Sequence, residues 1–242
     1  MSRIGFGYGS EWHLMRYLAY HNRDLSDRIE ALIPNSRMVN WLNWGFTQSP
    51  DAINKEPPRF LDAELKGLEF LPKHERQRLA SAWRSFWPQT GTPPTWDAVG
   101  LIECKGIQHW LLVEAKSHLA ELRSTCAAGG RSLALIEETF RRTQQDLALI
   151  VNPTAWLSPY YQYCNRLTVT HFLHTHDIPI KLVFLYFTGD LFPRNCDVYC
   201  PIDREQWRPG IEEVKGHIGW NRHCPLNGHV YDLFVPVCPQ IP

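Results

Sequence analysis

The chain has 242 residues, enough to bury a sizeable core, and its ten tryptophans and eleven phenylalanines exclude a disordered chain. Lysine plus arginine (25) balances aspartate plus glutamate (25), which excludes a global attraction to nucleic acid and confines any polyanion site to a local groove. Seven scattered cysteines exclude a disulfide framework and point to a reducing, cytoplasmic setting, and no apolar run reaches membrane-spanning length.

In chain order, Met1 to Gly7 lacks the apolar core of a signal peptide. Ser10 is a candidate N-cap for a helix from Glu11 with Leu14, Met15, Leu18 and Ala19 on one side. Helices are predicted over 24–33, 36–44, 61–71 and 75–87, with a proline-rich loop over 48–59. Two apolar runs follow, 95–102 and 110–118, separated by a turn-prone Glu103-Cys104-Lys105-Gly106. A helix is then expected directly after Lys116, ending near Gly129-Gly130. Another is expected from Ser132, with Leu133, Ile136, Phe140 and Leu147 at helical spacing, and a further one from Ser158-Pro159 to His174. Residues 181–187 read as a buried strand, 203–218 as a helix and 230–237 as a last strand. Helices interleaved with few strands predict an α/β domain with a small mixed sheet flanked by helices.

The run ending in Glu114-Ala115-Lys116 is as apolar as a strand covered on both faces, so its terminal charges need partners. A tight turn centred between Lys105 and Gly106 would place Asp97 across from Glu114. Lys116 shares that face, because strand side chains alternate. Two carboxylates facing each other are destabilising unless a cation neutralises them, and Mg²⁺ is the natural candidate, with Mn²⁺ as a substitute. Asp97, Glu114 and the Ala115 backbone carbonyl would be its protein ligands. Lys116 would position or deprotonate a water, or offset charge in the transition state. Glu103-x-Lys105 repeats the tripeptide, but inside the turn, where charges are merely solvated.

Asp97 followed by Glu114-x-Lys116 at the end of an apolar strand resembles the PD-(D/E)xK nuclease superfamily, with Trp96 where the signature has proline. The resemblance implies a restriction-endonuclease-like core with extra N-terminal helices in a single domain over 1–242. Residues 1–94 would form the helical N-terminal part, 95–190 the catalytic core, and 191–242 a closing helix and strand. It also implies an acid on a helix before the sheet, for which Glu11 is the candidate and Glu64 and Glu69 are rivals. Polar residues would sit on the helix after the strand, and Gln162, Asn165 and Arg166 fit because they share one helix face. An arginine there could fork onto a phosphate. The expected activity is metal-dependent hydrolysis of nucleic acid, with DNA the expected substrate and a homodimer where both strands are cut. The alternative is a catalytically silent nucleic-acid-binding or protein-interaction domain on the same fold. A third reading is a zinc-stabilised protein using Cys196, Cys200, His217, His223, Cys224 and His229, although their spacing matches no compact ligand set. Arg76, Arg78, Arg84 and Arg141-Arg142 read as solvated helix faces.

Overall fold

A computed structural model describes residues 7–42, 65–191 and 198–238. It is an α/β structure with a curled, mixed five-strand sheet flanked by helices. In chain order the helices are α1 (Ser10–Tyr20), α2 (Asn22–Leu32), α3 (Lys73–Phe86), α4 (Gly130–Asp146), α5 (Tyr161–Thr175) and α6 (Arg204–Ile218). The strands are β1 (Ser36–Trp41), β2 (Leu65–Lys66), β3 (Thr95–Trp96), β4 (Ala98–Cys104), β5 (Ile107–Lys116), β6 (Ile180–Thr188) and β7 (Val230–Pro236). The large sheet runs β1-β4-β5-β6-β7, antiparallel from β1 to β5 and parallel from β5 to β7, while β2 and β3 form a separate pair. The antiparallel β4–β5 step needs only a two-residue turn. The parallel steps need crossovers, which α4 with α5 and then α6 supply.

Alternation along the strands sorts the core into two layers. Leu111, Val113, Ala115, Val183, Leu185 and Phe187 face α1 and α2. Leu112, Leu182, Phe184 and Tyr186 face the side built from α3 to α6. The α5 helix is pinned to the second face by Tyr163, whose ring stacks on Phe184 at 3.8 Å between centroids. Phe184 is the cross-strand neighbour of Glu114, so this stack sets α5 directly over the end of β5.

Several predicted elements are present. The helix from Ser10, the helices near 24–33 and 75–87, the one from Ser158-Pro159, the strand near 181–187 and the last helix and strand all form. The buried stripe of α1 is His13, Leu14, Tyr17 and Leu18, one step round from the predicted Leu14, Met15, Leu18 and Ala19. In α4, Ile136 and Phe140 are buried, and Leu147 follows at its C-cap.

Three expectations are corrected. Residues 36–41 form edge strand β1 rather than a helix. Their backbone pairs with β4 through a bulge at Met38, and Gly100 lets them approach, since a Cβ there would lie 3.1 Å from the Asn40 carbonyl. Residues 65–71 form β2 and a turn, with Gly67 bonded through its amide to the Pro94 carbonyl at 2.7 Å. The region 61–64 lies outside the described residues, as does the predicted loop 48–59. After Lys116 there is a short 3-10 turn, Leu119–Leu122, rather than a long helix. There the Ser117 amide is taken by the Glu121 carboxylate at 2.6 Å and the Leu119 amide by the Tyr199 carbonyl at 3.3 Å, so neither enters a helical ladder.

Candidate active site

The site is built on the β4–β5 hairpin. Its turn is Lys105-Gly106, both with positive φ (50° and 79°), the geometry that matches the right-handed strand twist. That turn pairs Cys104 with Ile107 and, at the far end, Ala98 with Val113. Asp97 is one step further and bonds through its amide to the Val113 carbonyl at 3.1 Å. The expected register therefore holds from Cys104 to Ala98. Asp97 is a bend just before β4, close to Glu114 but not in a ladder pair with it. Its side chain turns onto β5, where Oδ2 accepts from the Ala115 amide at 2.6 Å. In a strand, one residue's N–H and C=O point the same way, so the Ala115 carbonyl faces the same side.

Glu114 is 2% exposed and held by two cations. Lys116 Nζ donates to Oε1 at 2.6 Å, and Arg166 Nε, reaching down from α5, donates to Oε2 at 2.7 Å. Arg166 also donates to Asn165 Oδ1 at 2.7 Å and is 3% exposed. Burial alone would raise the Glu114 carboxyl, but the Arg166 and Lys116 charges, and the hydrogen bonds they donate, outweigh it and hold it below the usual range. Asp97 goes the other way. Burial and then the adjacent Glu114 charge push it well above the usual aspartate range, against the opposing pull of Lys116. Burial would lower Lys116, yet Glu114, Asp97 and Glu121 together hold its ammonium above its ordinary value. With 12% of its side chain exposed, Lys116 is more open than Glu114, at 2%.

This is a place short of positive charge at Asp97 and fully compensated at Glu114. Mg²⁺ needs only one or two protein carboxylates and completes its octahedron with water and phosphate oxygens, so Asp97, Glu114 and the Ala115 carbonyl would be its donors here, with Glu114 shared with Lys116 and Arg166. Among the described residues no group of three or more His, Cys, Asp and Glu side chains could hold a metal ion, so water and substrate oxygens would have to supply the remaining positions.

The structure brings most of the expected residues together. Gln162 lies on the α5 face above Lys116, with Oε1 3.4 Å from Nζ. Arg166, expected to fork onto a phosphate, instead meets Glu114. Asn165 supports Arg166 and is itself buried. Glu11 sits in the first turn of α1, on the other face of the sheet but at the same end. That end of α1 is fixed by His13 Nε2 on Asp190 Oδ1 at 2.7 Å, by the Gly9 amide on Asp190 Oδ2 at 2.8 Å and by Ser10 Oγ on Glu121 Oε1 at 3.3 Å. Of Glu11's rivals, Glu69 accepts from the Lys66 amide at 3.0 Å in its own turn, and Glu64 lies outside the described residues.

Glu121 was not among the sequence candidates. Its carboxylate accepts from the Ser117 amide, pairs with His118 Nε2 at 3.1 Å and adds its charge to the field on Lys116. Its only sequence signal was nearness to the Glu-x-Lys strand. Asp190 at the end of β6 had none. In the late Cys/His set, Cys224 is buried, His217 bonds to the Ala155 carbonyl and His229 to the Ile180 carbonyl, while Cys196 lies outside the described residues. Arg78 pairs with Glu75, and Arg141 and Arg142 with Glu138, all within their own helices. Among the described residues no helix is long and apolar enough to cross a membrane. Comparison of the chain with protein-family models, with curated proteins and with solved structures returns no match.

Proposed function

We propose that the protein is a Mg²⁺-dependent nuclease of the PD-(D/E)xK type, on a restriction-endonuclease-like core, that hydrolyses phosphodiester bonds of nucleic acid, with DNA as substrate. The observation that carries this reading is the crowding of Asp97 and Glu114 at one strand end with the Lys116 ammonium alongside. A binding surface gains nothing from two crowded carboxylates, whereas a cation relieves them.

In this reading Asp97, Glu114 and the Ala115 carbonyl hold the ion. When bound, Mg²⁺ (or Mn²⁺ in its place) lowers the pKa of a water and offsets charge on the leaving oxygen. Lys116 contributes its protons and charge. Its ammonium orients the attacking water and hydrogen-bonds the phosphate oxygens as negative charge builds on them. Gln162 steadies the Lys116 Nζ, and Glu11, at the same end of the sheet, is a further acid for the site. Arg166 keeps Glu114 ionised in a place where burial would otherwise favour its neutral form. Cutting both strands of a duplex would call for two copies of the chain, each supplying one site.

One observation favours a second reading. Both oxygens of Glu114 already have cationic partners, as they would in a catalytically silent nucleic-acid-binding or protein-interaction domain. Incubating plasmid, linear duplex, single-stranded DNA and RNA with Mg²⁺, Mn²⁺ or EDTA separates the two. The nuclease reading expects cleavage of at least one substrate with metal and none with EDTA. A folded protein that binds no metal and cuts nothing would establish the silent domain instead.

A further inference from the structure

We infer that Arg166 is a positioning residue that sets the relation between the two carboxylates of the site, rather than a phosphate contact or a mere counter-charge. The inference rests on the metal-dependent reading for the identity of the ion. Its guanidinium touches Glu114 and the residue that precedes Asp97. Nε holds Glu114 Oε2 at 2.7 Å on β5. The guanidinium carbon lies 5.3 Å from the centroid of the Trp96 ring, and Trp96 is the residue that leads into Asp97.

Each end of this bridge is fixed. Trp96 is fully buried, its Nε1 donates to the Gly67 carbonyl at 3.0 Å, and Phe70 packs edge-on against its ring. Arg166 is 3% exposed, its NH1 is taken by Asn165, and α5 is stacked on β6 through Tyr163 and Phe184. With Oε2 held from above, the other oxygen of Glu114 is the one turned to Lys116, whose side chain is 12% exposed. A planar guanidinium can hydrogen-bond in its plane while its face rests on an indole. An ammonium is a point charge and cannot do both.

A charge-preserving substitution separates charge balance from positioning, which makes the role testable without measuring catalysis. If Arg166 only balances charge, Arg166→Lys, which keeps the charge, should bind Mn²⁺ as the wild type does. If Arg166 positions the carboxylates, Arg166→Met and the charge-preserving Arg166→Lys should both bind Mn²⁺ more weakly, by about 10–100-fold, the usual cost of losing a group that orients metal ligands. Titration calorimetry or electron spin resonance of Mn²⁺ reads this, with circular dichroism confirming the fold. Should Arg166→Met fail to fold, Arg166→Lys decides. Hydrogen exchange supplies a metal-free readout: the Ala115 amide, bonded to Asp97 Oδ2, should exchange faster in Arg166→Lys than in the wild type.

Wild-type affinity and unchanged Ala115 protection in Arg166→Lys, or tighter binding in Arg166→Met, would overturn the inference. Weakened Mn²⁺ binding in the variants, with a wild type that cleaves no nucleic acid, would keep the positioning role and remove the nuclease reading. Wild-type cleavage with unaffected Arg166→Lys binding would do the reverse.

Discussion

The β4–β5 hairpin spells Glu-x-Lys twice, and the two copies have different fates. Glu103-Cys104-Lys105 sits at the turn, where Glu103 pairs at the sheet edge with Arg37, a side chain 69% exposed, and Lys105 forms half of the turn itself. Glu114-Ala115-Lys116 sits at the other end, where β6 flanks β5, α5 lies overhead and Glu114 is 2% exposed. The same letters give a solvated ion pair in one place and a buried, three-membered charge cluster in the other. What separates them is distance from the turn, because on the face that carries both glutamates only the far end of the hairpin is fully covered.

The largest expected effect comes from deleting each glutamate. Glu114→Ala leaves Arg166 and Lys116 without their carboxylate in a dry site, which should cost about 3–5 kcal/mol of stability. Glu103→Ala breaks a pair screened by water and should cost less than about 1 kcal/mol. Urea unfolding of both variants checks this, and equal losses would erase the contrast between the two ends.

A second, smaller effect comes from pH and metal. Asp97 has its carboxyl pushed up by burial and by Glu114, so its favourable contribution is complete below the ordinary aspartate value and is lost as pH rises through its folded pKa. The Glu114 carboxyl is held down, since its two cations outweigh its burial. Its contribution is present above the ordinary glutamate value and is lost as pH falls through its folded pKa. Metal-free protein should therefore weaken in acid through Glu114, and on the rising side through Asp97. Asp97→Asn should remove the rising-side loss and raise metal-free stability at neutral pH by about 1 kcal/mol, or roughly 2–4 °C in Tm. The same variant should lose the stabilisation that Mg²⁺ gives the wild type, about 2.7 kcal/mol at a hundred times Kd. Thermal melts with Mg²⁺ and with EDTA across pH read both. A variant still stabilised by Mg²⁺ would take the ion away from Asp97.

The smallest effect sharpens the account of α5. The Gln162 contact to Lys116 is long, at 3.4 Å, so Gln162→Ala should cost no more than about 0.5–1.5 kcal/mol and leave Glu114 paired. A loss as large as that of Glu114→Ala, measured in the same urea series, would mean that α5 rather than β5 organises the cluster.

Much of this site was legible in the sequence because it depends on local rules. The Lys105-Gly106 turn fixed the register that carries β4 back to Ala98 and leaves Asp97 near Glu114, and helical spacing put Gln162, Asn165 and Arg166 on one face. The partner of Arg166 was not legible. Helix periodicity tells which way a side chain points but not which carboxylate, 52 residues away in sequence, it will meet. Residues 36–41 have a spacing that a helix would also satisfy, and it was pairing with β4 that made them a strand. The segment after Lys116 looked helical until the Glu121 carboxylate and the Tyr199 carbonyl claimed its amides. Asp190 belongs to the site end only because the parallel strand β6 stops beside β5, a fact of topology rather than of any motif.

The central claim is that chemistry resides at Lys116 and its two carboxylates, and the two lysines of the hairpin test it side by side. Mg²⁺-dependent DNA cleavage should be measured for the wild type, Lys105→Ala and Lys116→Ala, with EDTA as control. Lys105→Ala should cleave within about twofold of the wild type, as exposed substitutions away from a site usually do. Lys116→Ala should fall by about 10²–10³-fold, the usual cost of removing one donor to developing negative charge. Cleavage that persists in Lys116→Ala and in EDTA would contradict the account.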